Sequence, residues 1–555
     1  MSMDPLSADL FRLHHAHGYS PPQRATWMVG RLLDGIEACP PDQARPRLEL
    51  AASLLRQSLI FNPLDPSLWS QFQALAPLCA PRPGFAAWME EAARTLAEAP
   101  PAPAPCQADL DRVEALAEDS DAPGLAALAA SPAAPLIRFM ALVQLWQMGD
   151  AEHLLPLAPK VLAQAPLSLA APFFAWAAWA AGRADLAHEL ARLGPPSFLT
   201  LNLAAESALA AGDKDEARRL FLQSLEFEPG QSFLFSRLRE LDMAPPPPGL
   251  PSERKVAVLF YTFNKLGLTL DTLKSLLASN IGPATVAVLN NGSTAFTPEE
   301  FAAGIAATAQ GRPVEIIQLP VNVGAPAARN WLWHLPSTRE ADYVAFLDDD
   351  VLLPRDWLAA FLQDLELWPR AAVVGPKILN PSALPTVQYA SRFFLATGPR
   401  LIRFTDNAPL VMDLGQYAFR RPCLSVMGCC HLFNRRLCQG LAVPDFDIRF
   451  TPSQVDDIEH DLQVWKAGAE VLYDGRMSVT HVRGSGPKGL QSLALQGHVW
   501  GNHMKMEHKF SVGELAAMNA ASRGADDRHL AKGLEEAWDL LGEGAREYYR
   551  LFVRL

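Results

Sequence analysis

The sequence predicts a multidomain protein: an α-helical N-terminal region, then a layered α/β region, then a helical C-terminal tail. Three observations carry that reading. The chain has 555 residues, too many for one hydrophobic core, so two or three domains are expected. Residues 244–252 (APPPPGLPS) read as a stiff linker. Before this break apolar residues recur at helical spacing with no alternating strand; after it short apolar runs, the first at 256–260, alternate with helical segments. A second proline-rich stretch, 99–105 (APPAPAP), divides the helical part. The expected organisation is 1–98 as a helical region, 106–243 as helical repeats, 253–486 as the α/β domain and 487–555 as a helical extension.

Within the helical part, 213–229 (DKDEARRLFLQSLEFEP) opens on acidic residues that favour a helix N-terminus, and Ala217, Leu220, Phe221 and Leu225 form one apolar stripe. Residues 50–63 (LAASLLRQSLIFNP) share that shape and end in an Asn-Pro stop, and 182–192 (GRADLAHELAR) resembles a junction and second helix. These segments resemble tetratricopeptide repeats, helix pairs that stack into a curved solenoid, without keeping a fixed period of about 34 residues. A non-repeating helical bundle is the alternative. The uncharged stretch 165–182 carries Pro166 and Pro172 and reads as a packed helix, so no transmembrane segment is expected.

Composition narrows the partners. With 49% hydrophobic and 19% charged residues the chain is an ordinary globular protein. A formal charge of −12 argues against a general nucleic-acid-binding surface, which needs clustered Lys and Arg. Seven cysteines without a CxxC pair fit a reduced, cytoplasmic compartment.

In the α/β part, 254–264 (RKVAVLFYTFN) reads as a buried strand and polar turn, 266–279 as a helix, and 285–289 as a second strand ending in NNGS. Polar residues at strand ends are how open α/β sheets build nucleotide crevices. Residues 343–351 (YVAFLDDDV) deliver three aspartates at the end of an apolar strand. Such carboxylates repel one another unless neutralised, and a hard divalent metal bridging two phosphates would do so. Further segments follow in order: 322–330 (NVGAPAARN), 373–381 (VVGPKILNP), 426–436 (VMGCCHLFNRR), 455–468 (VDDIEHDLQVWKAG) and 471–486 (VLYDGRMSVTHVRGSG).

Over about 230 residues, this order of motifs resembles the family 2 glycosyltransferases, which have the GT-A fold. The resemblance implies a nucleotide-sugar donor, an acceptor hydroxyl, an inverting reaction and Mn²⁺ or Mg²⁺. It places Thr262, Asn264, Asn290, Asn291, Asn322, Gly324, Ala328, Arg329, Asp348 and Asp349 on the donor side. Asp348 and Asp350 match the outer aspartates of the DxD motif, and His481 matches the histidine that completes the metal or diphosphate site. Asp457 falls on the second position of the family's Glu-Asp pair and is the expected base, with Glu459 its rival. The chain departs from the pattern at Asp456, where the family has Glu, and at Gln463, where it has Arg. A protein acceptor held by the helical repeats, as in glycosylation of a bacterial surface or flagellar protein, is the leading expectation. The alternatives are a glycan or lipid-linked sugar transferase whose repeats serve assembly, and a non-catalytic scaffold.

Arg483 and Lys488 read as lid residues or as ordinary solvated charges. Cys429, Cys430 and Cys438 read as buried, quiet thiols. His498, His503 and His508 have a spacing poor for one helix face. Of Trp331 and Trp333, at least one is expected in the core.

Overall fold

The computed structural model describes residues 4–101, 105–243, 254–398, 401–482 and 493–553. From Pro5–His17 to Phe233–Asp242 the described chain is helical throughout. Several of its helices start at capping side chains that the sequence supplies. Asp65, Asp121, Asp150 and Asp213 each accept a main-chain N–H of the first turn, satisfying a donor that has no intrahelical partner. Gly149, Gly182 and Gly212 sit at φ of 73°, 72° and 83°, the left-handed conformation that lets a helix stop and the next begin. They divide successive helix pairs, among them Ala171–Ala180 with Ala184–Ala191 and Phe198–Ala210 with Lys214–Phe227. Ala171–Ala180, from the uncharged stretch, is almost wholly buried, and none of the described helices is long and apolar enough to cross a membrane.

Twelve strands follow: β1 Val256–Thr262, β2 Thr285–Asn291, β3 Glu315–Leu319, β4 Tyr343–Leu347, β5 Val351–Leu352, β6 Ala371–Leu379, β7 Val387–Tyr389, β8 Phe394–Gly398, β9 Leu401–Phe404, β10 Arg420–Cys423, β11 Cys430–Asn434 and β12 Glu470–His481. Ten of them form a mixed sheet in the order β10-β12-β6-β11-β4-β1-β2-β3, with β5 on β12 and β7 on β6. β8 and β9 pair separately. The run β3-β2-β1-β4 is parallel, as crossover helices require. Side chains alternate between two cores: Ala257 and Leu259 face one, and Val256, Val258 and Phe260 the other. The result is a GT-A-like mixed sheet behind an all-helical region.

The tail does not stand apart. Helix Val512–Ala537 first packs Leu515, Met518 and Ala525 against the sheet's core. It then carries Leu530 and Leu534, and beyond them Tyr548, Tyr549 and Phe552, into the core of the N-terminal helices. Phe552 stacks on Phe11 at 4.7 Å, and Phe235 meets Tyr549 edge-on at 4.7 Å. A stiff proline linker suggests few contacts across it; here the tail closes the chain back over its own N-terminus.

Candidate active site

The chemistry gathers at the carboxyl ends of β1, β2 and β4. Pairing of β4 with β11 sets Leu347 opposite Cys430, and the Asp348 N–H donates to the Cys429 carbonyl at 2.9 Å. Pairing of β5 with β12 sets His481 opposite Val351, and Val482 N–H donates to the Asp350 carbonyl. An imidazole far along the chain is thus fixed beside the aspartate triplet.

Each aspartate of the triplet has different partners. Asp349 turns inward, accepting from the buried Thr262 hydroxyl at 2.7 Å and from Lys265 Nζ at 2.9 Å. Lys265 also reaches Asp350 Oδ2 at 2.9 Å, while His481 Nε2 lies 3.1 Å from Asp350 Oδ1. The other ring nitrogen of His481 meets the Gln388 Oε1 amide oxygen at 3.0 Å, so both ring nitrogens face oxygen acceptors, an arrangement that favours the protonated ring. Asp348 is the least enclosed of the three, 3.3 Å from Arg329 Nη2. Burial pushes Asp348 up to about 6, with Arg329 opposing and Asp350 adding to the shift. Burial also raises Asp349 against Lys265. For Asp350 burial is outweighed by His481 and Lys265, which hold it below its ordinary value. His481 is itself raised, burial being outweighed by Asp350 and Asp348.

Arg329 joins this triplet to the second acidic cluster. It is buried on helix Ala325–Trp333, flanked by the Tyr261 and Phe446 rings, and pairs with Asp348 on one side and Asp456 on the other. Asp456 heads helix Asp456–Lys466. Beside it Asp457, half-buried, accepts from the Gly428 N–H and from Ile458 N–H, both at 2.9 Å. A Cβ at Gly428 would lie 2.7 Å from that of Asp457 and 3.2 Å from Arg329, so only glycine brings the main chain this close. Glu459 is fully buried, bound by Lys509 at 2.6 Å and by Gln463 at 2.7 Å. It has no route to an acceptor, and Gln463 serves Glu459 where the family pattern has Arg.

The remaining expected donor residues order the loops at the strand ends. Asn290 holds Gln318 and the Ser293 N–H, Asn291 holds Asn322 and the Val323 N–H, and Asn322 accepts from the Gly324 N–H. Asn264, at φ 61°, caps Thr294 and Ala295. Gly324, at φ 85°, starts the Arg329 helix where a Cβ would strike Thr451. Ala328 is a buried residue of that same helix. Lys265, Gln388 and Gly428 are the site members sequence reasoning missed. Gly428 lay within a noted motif, whereas Lys265 reads as the ordinary start of a helix.

Elsewhere, Cys429, Cys430 and Cys438 are buried with their thiols pushed up by burial, Cys438 to about 12, and form no thiol site. Trp333 packs between Phe346 and Phe433, while Trp331 is half-exposed. Arg483 and Lys488 lie outside the described residues. His498, His503 and His508 ride helix Leu493–Lys509 and enter no metal-like cluster among the described residues.

Asp348, Asp350 and His481 each offer a ligand atom, all within 4.8 Å of one another. Asp350 Oδ1 is buried and, apart from that imidazole, has no donor among the described residues. Two carboxylates and one imidazole suit a hard or borderline divalent ion such as Mn²⁺ or Mg²⁺, so the donor set fits.

Comparison with known proteins reaches the same sheet. No curated protein matches the chain in sequence. Among solved structures it is similar to GalNAc-T7 with UDP, GalNAc and Mn²⁺, at 14% identity and TM-score 0.37, over 52% of this chain and 58% of that one. It is also similar to the mannosyltransferase PcManGT from Pyrobaculum calidifontis in complex with GDP-Man and Mn²⁺, at 16% identity and TM-score 0.34, over 64% and 90%. This chain therefore spans a little over half of GalNAc-T7. Asp457 and His481 lie beyond the stretch that a family model covers, so their place rests on geometry alone. That model, Glycosyl transferase family 2, matches residues 257–441 of this chain.

Proposed function

We propose that the protein is an inverting, metal-assisted glycosyltransferase that moves a sugar from a nucleotide-sugar donor to an acceptor hydroxyl. The observation that carries this is one guanidinium, Arg329, joining two unlike acidic clusters. On one side stands the donor set Asp348, Asp350 and His481. On the other stands Asp457, a carboxylate held by main-chain N–H groups and, among the described residues, paired with no cation. Asp457 removes the acceptor proton as that oxygen attacks the anomeric carbon and the bond to the diphosphate oxygen breaks. Asn290, Asn291, Asn322 and Gly324 order the loops that meet the nucleoside. Lys265 and Thr262 hold Asp349 so that its neighbours face the cleft. A divalent ion held by Asp348, Asp350 and His481 would supply neutralising charge to the departing nucleoside diphosphate.

The acceptor is a protein segment held by the helical region. A groove of about 670 Å³ lies between Phe61, Leu136, Phe139 and Phe173 of the helices and residues 409–412 of the catalytic part. Its wall reaches the site, since Val387 N–H donates to the Val411 carbonyl and the adjoining Gln388 holds His481. The free cysteines support a reducing, cytoplasmic setting.

The test is a panel of nucleotide sugars with Mn²⁺, read as thermal stabilisation and donor hydrolysis. A ligand present at a hundred times its dissociation constant stabilises by about 2.7 kcal/mol. Chelation and Asp350→Ala should both remove the gain; a full gain in Asp350→Ala removes the metal assignment. Met140→Lys in the groove should lower modification of a protein acceptor and spare donor hydrolysis.

A further inference from the structure

We infer that Asn502, on a helix beyond the matched family domain, is a positioning residue for Asp457; this rests on the transferase reading above. Gln454 and Val455 stand at φ 80° and 72°, immediately before helix Asp456–Lys466. Left-handed backbone is disfavoured for any residue with a Cβ and most of all for a β-branched one. No side chain of the Val455 cap satisfies the helix start. Something else must hold this turn, because its twist sets where Asp456 and Asp457 point.

Helix Leu493–Lys509 does so. Asn502 is 2% exposed, and its amide nitrogen lies 2.8 Å from the carbonyls of Phe450 and Ser453 and 3.1 Å from that of Gln454. Lys505 donates to Asn502 Oδ1 at 2.9 Å and to the Arg449 carbonyl at 2.7 Å. Lys509 reaches Asp447 and the buried Glu459, each at 2.6 Å. Residues 502, 505 and 509 fall on one helical face, and Met506 between them is fully buried. The other side of the turn is fixed too: Ala325 N–H donates to the Pro452 carbonyl at 2.7 Å, and Thr451 packs against Gly324. The 450–455 turn is therefore clamped between the Asn502 helix and the segment that carries Arg329. Through it the Asn502 amide fixes the Gln454 carbonyl, the twist at Val455, and the approach of Asp457 to Gly428.

The experiment uses the full chain and the nucleotide sugar that Mn²⁺-dependent hydrolysis selects. Asn502→Ala should lower kcat about tenfold or more while the donor KM stays within about twofold. Lys505→Met, a milder change on the same face, should shift kcat in the same direction by less. In an Asp457→Asn background Asn502→Ala should cost nothing further, because both act on one group. Unchanged kcat in Asn502→Ala, or losses that multiply in the double variant, overturns the inference. Hydrogen exchange of residues 447–458 gives a reading independent of turnover. Faster exchange confined to that segment in Asn502→Ala supports the clamp, and unchanged exchange overturns it. A wild-type protein that hydrolyses no nucleotide sugar overturns the transferase reading, and exchange still decides the clamp.

Discussion

Two of the places where the molecule buries charge differ in how they treat it. At the seam between the helices, the sheet and the tail, the charges close on one another. Arg420 pairs with Asp364 at 2.8 Å and Glu240 at 2.6 Å, and Arg476 with Asp474 at 2.7 Å. Arg421 holds Asp526 through both carboxylate oxygens and donates to the His15 carbonyl. Burial pushes Asp364 well up and Asp474 adds to it. In the cleft, five carboxylates (Asp348, Asp349, Asp350, Asp456 and Asp457) face, among the described residues, Lys265, Arg329 and one imidazole. Charge left unbalanced behind a well-packed sheet marks a place built to receive a cationic or proton-bearing partner. A seam that only joins domains has no such need.

The largest effect tests the closed seam. Arg421→Met leaves Asp526 buried without its guanidinium, and removing one member of a buried pair costs about 3–5 kcal/mol. Urea unfolding should show that loss, with donor binding intact in the fraction still folded. A cost below about 1 kcal/mol would mean that His15, 3.5 Å from Asp526, balances that carboxylate alone, and the contrast with the cleft would weaken.

The two places also differ in how far the sequence disclosed them. The cleft was legible because its residues sit at the ends of apolar runs: Tyr343–Leu347 delivers the triplet, and Val256–Thr262 delivers Thr262. Local pattern marks such positions. Lys265 was not legible, since a lysine opening a helix has no local sign that it will bridge two aspartates. The seam was hidden altogether. Arg421 and Asp526 are 105 residues apart, and a bond at that separation leaves no periodicity behind. The tail's return was equally silent, because Tyr548, Tyr549 and Phe552 read as one more apolar stripe whose partner only the fold supplies. Between β7 and β10 the chain alternates short strands with irregular turns, so residues 409–412 gave no hint that they wall the helical groove.

Next in size is the open carboxylate of the cleft. Asp457→Asn keeps shape and hydrogen bonding and removes the proton acceptor. Transfer should fall about a hundredfold or more, with donor and metal binding near wild type. Glu459→Gln sharpens the contrast, because Glu459 already has Lys509 and Gln463. That variant should lose stability through the unpaired lysine and keep the pH profile of kcat. A normal Asp457→Asn beside a dead Glu459→Gln would move the base by two positions.

The smallest effect is a pH dependence in the helical core beside the seam. His14 is fully buried: its Nε2–H donates to the Gly230 carbonyl at 2.9 Å, and Nδ1 meets the Ser20 hydroxyl at 3.0 Å. Burial depresses it to about 4, against weaker support from Gly230 and Glu228. Between its ordinary value of 6.5 and about 4 the unfolded chain binds a proton that the folded chain refuses. Its contribution is therefore complete above about pH 6.5 and is lost as pH falls towards 4. From pH 7 to 5.5 that loss is about 1 kcal/mol. Urea midpoints across this range should fall for the wild type and fall less for His14→Gln, which cannot take up the proton. If both proteins follow the same curve, the acid sensitivity lies elsewhere, and this buried histidine is not where the protein resists protonation.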